Sequence, residues 1–588
     1  MIELLSPAGS PSVLKAAVEA GADAVYMGSN WNARFRARNF TREELAKAIS
    51  YCHNNNVKAY VALNTLIFEE EIKGVKEYLE FLDENEADAI IVQDLGVVRL
   101  ARELNFSFDI HASTQMSVHN SNTAKLLKER GIKRIILARE LNFDQIKRIK
   151  ENVNVELEMF VFGALCYSYS GKCLWSYIQT GRSGNRGACS QMCRFPWKLL
   201  VNGKEIKKGY LTSTKDLNLI NHIDKIKDLG IESIKIEGRL KDANYIGKVV
   251  STFRAAIDGK DINLDNLESN RGFTTGYLFN EAKNKLINPK SQIFRGKEIG
   301  KVLEVKRDGA VVYLNQPLSV NDFIRTSSIG KAIKIYRIYK DGKETNTGIG
   351  KCVIKIKGLR KNDKIYLIEP INDDSSFLDE YQPKHKSNQH NIKSIILEPL
   401  RFKSNIFIHY TDIDYSNGKN GKIYDWEFAI KKYKEINQLS PVYIETPRVV
   451  FDEELEEIKD KISEINQWFL DKRAEHYFVI SELSLIGKEP TYVSHYANIT
   501  NTLAAREWLD IGNDSIKGII ASIELRKEDA LKLGFSVYEG NYIELAISEN
   551  DWYEEFNING KAQLVDPRGN VYEIKKIKDR TIIAKRRN

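Results

Sequence analysis

The sequence predicts an α/β protein: an N-terminal (β/α)8 TIM-like barrel, then a small β-barrel domain, then a C-terminal diverged barrel-like α/β repeat. Three observations carry this. Short β-branched runs alternate with amphipathic helical stretches from the first residue to about 257. Around residues 293–372 the pattern changes to short strands split by turn signals. Segments of the first part then recur, in the same order, in the last third of the chain.

The barrel strands are expected at 3–6, 24–28, 58–63, 89–93, 107–111, 134–138, 155–162 and 233–237, with helical stretches such as 41–54 and 122–130 between them. Eight strands in βα alternation close into a barrel; a doubly wound open sheet is the alternative. The barrel domain spans 1–275. The β domain, 290–375, has strands at 300–305, 309–314 and 353–356 and turns at Asp308-Gly309 and Asp341-Gly342. A linker follows at 376–392. Residues 393–588 form the repeat: Ala59 to Ile72 is echoed by Val442 to Leu455, Ile132 to Leu141 by Ile516 to Leu525, and Asn120, Ala124 and Gly131 by Asn501, Ala505 and Gly512. The second copy lacks the cysteines of the first and is expected to serve docking or stability.

Composition bounds the function. The 588 residues carry a net charge of +8, mildly basic, which permits RNA binding without requiring it. No run approaches the roughly 18 apolar residues of a membrane span, and no secretory pattern opens the chain, so the expectation is a cytoplasmic protein without membrane contact.

Four of the six cysteines crowd into one stretch as C-x6-C-x15-C-x3-C: Cys166, Cys173, Cys189 and Cys193. Thiolates gathered this way hold an iron–sulfur cluster or zinc, or stay unligated or form a disulfide. Gly163, Gly171, Gly184 and Gly187 let backbone wrap a bulky group, and Lys172, Arg182, Arg186 and Arg194 can offset thiolate charge. The stretch follows the seventh strand, on the carboxyl-end face where such barrels place their chemistry.

This cysteine segment resembles the signature of peptidase family U32, the collagenase-like proteases. So do Glu3-Leu-Leu-Ser-Pro-Ala-Gly9 and Ser233-Ile-Lys-Ile-Glu-Gly-Arg-Leu-Lys241. The resemblance runs over residues 1–260. It implies a 4Fe–4S cluster on the four cysteines as metal ligands and 5-hydroxylation of a pyrimidine in tRNA or 23S rRNA, with prephenate, a small carboxylate, as oxygen donor. Glu158 and Asp216 recur in the family's motifs without an assigned role. Many members carry His before the glycine of the first cysteine motif; this chain has Phe162, so no catalytic role is carried to it.

The remaining candidates are positional, because residues that end barrel strands converge on one pocket. His111, Glu140 and Glu237 are candidate catalytic groups, His111 as a proton shuttle. Tyr26, Asn64, Gln93 (with Asp94), Gln115 (with Ser113), Arg139 and Arg239 are candidate substrate-binding groups, the arginines suited to an anionic donor. Each can equally be a satisfied structural polar group. Arg34 and Arg36, interleaved with Trp31 and Phe35, suit phosphate tracking and base stacking by an unpaired RNA region; a solvated loop is the plain alternative. Other readings are a peptidase, for which no H-E-x-x-H or G-x-S-x-G is present, a non-catalytic iron–sulfur RNA-binding protein, and a quinone-ring hydroxylase.

Overall fold

The computed structural model describes all residues except 1, 34–36, 270, 281–284, 290–296, 307–308, 327–332, 357, 369–373, 384–399, 401–405, 411–420, 437–440, 541 and 587–588. Most of the sequence-predicted linker, and Arg34 and Arg36, therefore lie outside the described residues.

The amino-terminal strands Glu3–Pro7, Ala24–Met27, Lys58–Leu63, Ala89–Val92, Asp109–Ala112, Arg134–Ile136, Glu156–Ala164 and Ser233–Ile236 pair in order and in parallel. The eighth lies beside both the first and the seventh, with Glu3 opposite Ser233 and Glu158 also opposite Ser233. The sheet is a closed eight-stranded parallel barrel. Its helices present apolar stripes to the strands; Ile72–Glu84, for example, buries Val75, Tyr78, Leu79 and Leu82.

The barrel interior is not wholly apolar. Glu158, fully buried on the seventh strand, accepts from Lys235 at 2.9 Å and lies 3.4 Å from Arg134. Arg134 also pairs with Glu3, which accepts from Tyr60 at 2.8 Å and from Ser233 at 3.0 Å. The Lys235 ammonium sits 4.3 Å above the Tyr26 ring. An ionic layer thus links six strands from inside, each charge offset by a partner because most of it is shielded from water.

In the carboxyl-terminal part, Ile406–Tyr410, Gly421–Tyr424, Val442–Glu445, His476–Ile480, Thr491–Val493, Ile516–Ile519 and Val537–Tyr538 are again parallel. Ile406 pairs with Val537, and a parallel bridge from Ile520 to Ser536 closes the ring at seven strands. In order along the ring, Val537–Tyr538 matches the first barrel's seventh strand, the one that leads into the cysteines.

The repeated segments make reciprocal contacts. Asn120 caps the helix Ser121–Glu129 and donates to the Val450 carbonyl at 2.7 Å, while Asn501 caps Thr502–Gly512 and donates to the Ile67 carbonyl at 2.9 Å. Ser121 donates to Asp452 at 2.6 Å and Thr502 to Glu69 at 2.8 Å. Each asparagine therefore closes a helix and ties one ring to the other. Replacing either with alanine is expected to cost about 2 kcal/mol, a lost cap plus a buried carbonyl left unmatched. Urea unfolding measures it; a loss below half that in both variants would contradict the reciprocal arrangement.

The last strands, Tyr542–Ser548, Ala562–Val565, Val571–Ile577 and Arg580–Arg586, lie outside the second ring. They join the hairpin Trp197–Val201 and Lys204–Gly209, which follows the cysteines, in a six-stranded antiparallel sheet. Residues 268–272 and 291–374 form a separate compact unit, an eight-stranded antiparallel sheet around Val302, Val312, Ile324, Ile338 and Ile365. One of its hairpins turns at Asp341-Gly342, both at positive φ. Among the described residues no helix is long and apolar enough to cross a membrane.

Candidate functional site

The cysteine segment leaves the seventh strand at Ala164 and crosses the barrel mouth. Two glycines set how close it comes. A Cβ on Gly171 (φ +83°) would sit 1.8 Å from the Gln115 carbonyl oxygen, and one on Gly187 (φ +75°) would sit 2.3 Å from that of Asn32. Only glycine permits these approaches. Further contacts are made by the Leu66 amide to the Asn185 carbonyl at 3.0 Å and by Arg186 to the Leu66 carbonyl at 2.8 Å. The loop therefore touches the ends of the second, third and fifth strands.

Two pins bring the cysteines together. Arg194, buried beside Cys193, donates to the carbonyls of Leu165 at 2.6 Å and Thr214 at 2.8 Å, holding the last cysteine's segment against the first. Ser176, just after Cys173, accepts from the Ser190 amide at 2.8 Å and donates to the Arg182 carbonyl at 2.5 Å, joining the middle pair. Burial, then the nearness of Cys189, Cys193 and Cys166, pushes the Cys173 thiol up, so all four share one neighbourhood. The Gln191 amide donates to Cys189 Sγ at 3.3 Å.

Among the described residues no three Cys, His, Asp or Glu side chains converge on a single ion. A cluster spreads its ligands, because each thiolate binds a different iron, and four thiols round one space with backbone N–H···S support are the donor set it takes. The residues present fit that group.

Three of the cations expected to balance thiolate charge are engaged elsewhere, a correction to the sequence reading. Lys172 donates to the Arg448 carbonyl at 2.6 Å and lies 3.5 Å from Glu482. Arg186 pairs with Glu71, and Arg194 grips the carbonyls above. These contacts hold the loop in place.

Above the loop lie strand ends of the second ring. Ser183 and Asn185 donate to Glu524 at 2.7 and 3.2 Å, and Asn498 donates to the Gly171 carbonyl at 2.7 Å. At the base of the loop, Trp175, Trp197 and Tyr572 pack with centroids 4.9 and 5.4 Å apart. The cysteine loop is held between the two rings.

Burial pushes Glu524 up to about 7 from an ordinary value near 4.5, despite its two donors. Its folded pKa is raised, so its stabilising contribution is full below pH 4.5 and is lost as pH rises through about 7. The loss reaches about 3 kcal/mol. Glu524→Gln is expected to flatten the fall in stability between pH 4.5 and 7 in urea titrations; an unchanged slope would contradict this.

The other candidates separate by depth. Asn64, Gln93, Ser113 and Gln115 meet at the rim: Asn64 to Ser113 at 3.4 Å, Gln115 to Gln93 at 3.1 Å. Arg139, also at the rim, donates to the Ala164 carbonyl at 2.9 Å and to Ser170 at 3.3 Å, over the Phe160 ring. Beside it a cavity of about 20 Å³, room for one water, is lined by Arg139, Phe160, Thr275 and Tyr277. Burial pushes the neighbouring Glu140 up to about 7 against the pull of Arg139, and its Oε2 has no hydrogen-bond partner.

Tyr26 and His111 lie deeper, inside the barrel. The Tyr26 hydroxyl donates to the Ile236 carbonyl at 2.9 Å. His111 packs edge-on to Tyr60 at 4.9 Å; burial, then Arg134 and Lys235, hold its pKa well below the ordinary value. It is neutral at physiological pH and lies beside the ionic layer. Glu237 follows the eighth strand directly, half-buried, its amide donating to the Phe162 carbonyl at 2.9 Å. The buried Arg239 guanidinium donates to Asn32 at 3.1 Å and to Asn39, bracing the loop after strand two. In that loop Trp31 donates to Glu71 at 3.2 Å instead of facing outward. Phe162 packs on Phe253 at 5.6 Å. Asp94 is spent on helix capping and on Asn501 at 3.0 Å.

Sequence reasoning missed the partners supplied by the second ring, Glu482, Glu524 and Arg448. Arg448 and Glu524 lie in the echoed segments 442–455 and 516–525, which was the available signal. A cleft of about 430 Å³ lined by Lys125, Arg148, Asp452 and Glu456 takes no residue from the cysteine loop.

The profile of peptidase family U32 matches residues 9–288. An uncharacterized protease of Methanocaldococcus jannaschii is 38% identical over 63% of this chain and 98% of its own length. The chain belongs to peptidase family U32. Other relatives have different names. The tRNA hydroxylation protein P1 of Bacillus subtilis is 39% identical over 44% of this chain and 63% of its own. A 23S rRNA 5-hydroxycytidine synthase of Escherichia coli is 34% identical over 55% of this chain and 52% of its own. This U32 chain thus spans just over half to nearly two thirds of those two relatives.

Proposed function

We propose that this chain is a cytoplasmic RNA-modifying enzyme that adds a 5-hydroxyl to a pyrimidine of tRNA or rRNA, with a 4Fe–4S cluster on Cys166, Cys173, Cys189 and Cys193 and prephenate as oxygen donor. The observation that carries it is the pinning of four thiols in one neighbourhood over a barrel mouth, in a chain whose relatives bear RNA-hydroxylation names. When bound, the cluster supplies electron transfer and Lewis acidity beside the mouth.

The chain's own residues do the rest. Arg139, on the rim, presents a guanidinium fork suited to a carboxylate donor. Glu140, poised near neutrality with one oxygen unpartnered, holds or releases a proton at that oxygen. Asn64, Gln93 and Gln115 offer amides to a base edge, and the loop above excludes water. The target is an unpaired nucleotide, because stacking hides the 5-carbon.

Mass spectrometry of tRNA and rRNA nucleosides from a deletion strain tests this. One hydroxylated pyrimidine should vanish; an unchanged set would refute it. The second reading, a peptidase, rests on the name of the M. jannaschii relative. It requires casein cleavage that survives repurification and is lost in a Glu140→Gln variant.

A further inference from the structure

The positive charge of this chain is concentrated in one place. Residues 291–374 contain seventeen Lys and Arg against ten Asp and Glu, net +7, while all 588 residues together carry +8. The rest of the chain is close to neutral. These residues make up nearly all of the separate antiparallel unit, which has its own core.

The sheet register arranges part of that charge. Across the neighbouring strands Lys364–Ile368, Lys297–Lys306, Gly309–Ser319 and Thr347–Ile354, the residues Lys364, Lys301, Tyr313 and Lys351 stand in one row. Residues opposite one another in register share a face. All four are exposed, and Tyr313 is 50% accessible. Their chain neighbours Val302, Val312, Cys352 and Ile365 point the other way, into the core. Ile349, two residues from Lys351 and 46% accessible, extends the apolar part of the outer face. With strands about 4.8 Å apart the row is about 14 Å long.

A surface built for solubility intersperses both signs. Here Lys301 and Lys364 are direct cross-strand neighbours, a like-charge pairing that costs stability. Glu298, 2.8 Å from Lys364, relieves only one of the lysines. A bound polyanion relieves the rest, and an exposed tyrosine between lysines is the arrangement that stacks a base while cations follow the backbone. We infer that this face of the β unit is an RNA-docking surface, with Lys301, Lys351 and Lys364 on phosphates and Tyr313 stacked on an unpaired base. The inference rests on the RNA reading above and supplies it with a docking surface beyond the cysteine site.

Fluorescence anisotropy of the full-length protein with a labelled 20-nucleotide oligouridine, titrated against KCl, is the test. Lys301→Gln, Lys351→Gln and Lys364→Gln combined should weaken binding at least tenfold and make the log–log salt dependence shallower by about 2. Tyr313→Ala alone should weaken it about fivefold or more with the salt dependence unchanged. Unchanged affinity in both variants overturns the inference. So does poly-glutamate binding as tightly as oligouridine and being lost in the same variants, which marks a surface for an acidic protein. If the variants lose oligouridine but the deletion strain keeps all its nucleosides, the docking surface stands and the hydroxylase reading falls. The converse pair of results removes the surface alone.

Discussion

Serine in place of Cys173 or Cys189 is expected to abolish the visible absorbance of the anaerobically purified protein and to cut RNA modification by at least a hundredfold. A serine hydroxyl is a far poorer iron ligand than a thiolate, and a cluster missing one of four anchors is lost or rebuilt. The fold should survive, because Cys189 is exposed, Cys173 is half-buried at the edge of the core where serine is nearly isosteric, and the loop is held by Arg194, Ser176 and the second ring. Melting temperatures within a few degrees of the parent protein would confirm that the loss is local. Full modification with no bound iron would refute the role of the thiols.

The second large effect concerns the barrel's ionic layer. Lys235→Met is expected to cost about 3 kcal/mol, because it leaves the Glu158 carboxylate buried with only Arg134, 3.4 Å away, to offset it. Adding Glu158→Gln removes the stranded charge and should recover most of that loss. Urea unfolding of the single and double variants reads both numbers. A single variant within about 1 kcal/mol of the parent would mean that the pair contributes nothing beyond packing.

The barrel was legible because its strands are short β-branched runs between amphipathic helices, and all eight lie within two residues of expectation at both ends. The fifth begins later, at Asp109, because Ser107 is tied by its amide and hydroxyl to Asp83, both at 2.6 Å. What the sequence hid was partnership across distance. Nothing local in Trp197–Val201 shows that it pairs with Ala562–Val565. Asp94 reads as a substrate-binding neighbour of Gln93, yet Asn501, far along the chain, donates to it.

Depth was equally hidden. His111 and Gln115 are four residues apart, yet one lies inside the barrel's ionic layer and the other on the rim under Gly171. Inward positions along a barrel strand share one alternation, and sequence alone does not tell their level. The cysteines were readable because their chemistry does not depend on depth.

Iron and acid-labile sulfide analysis of the protein purified without oxygen tests the central claim most directly. About four irons and four sulfides per chain, absent from the Cys189→Ser variant, is the result expected from a cluster at the mouth. One zinc per chain, or no metal in a protein that still modifies RNA, would contradict it.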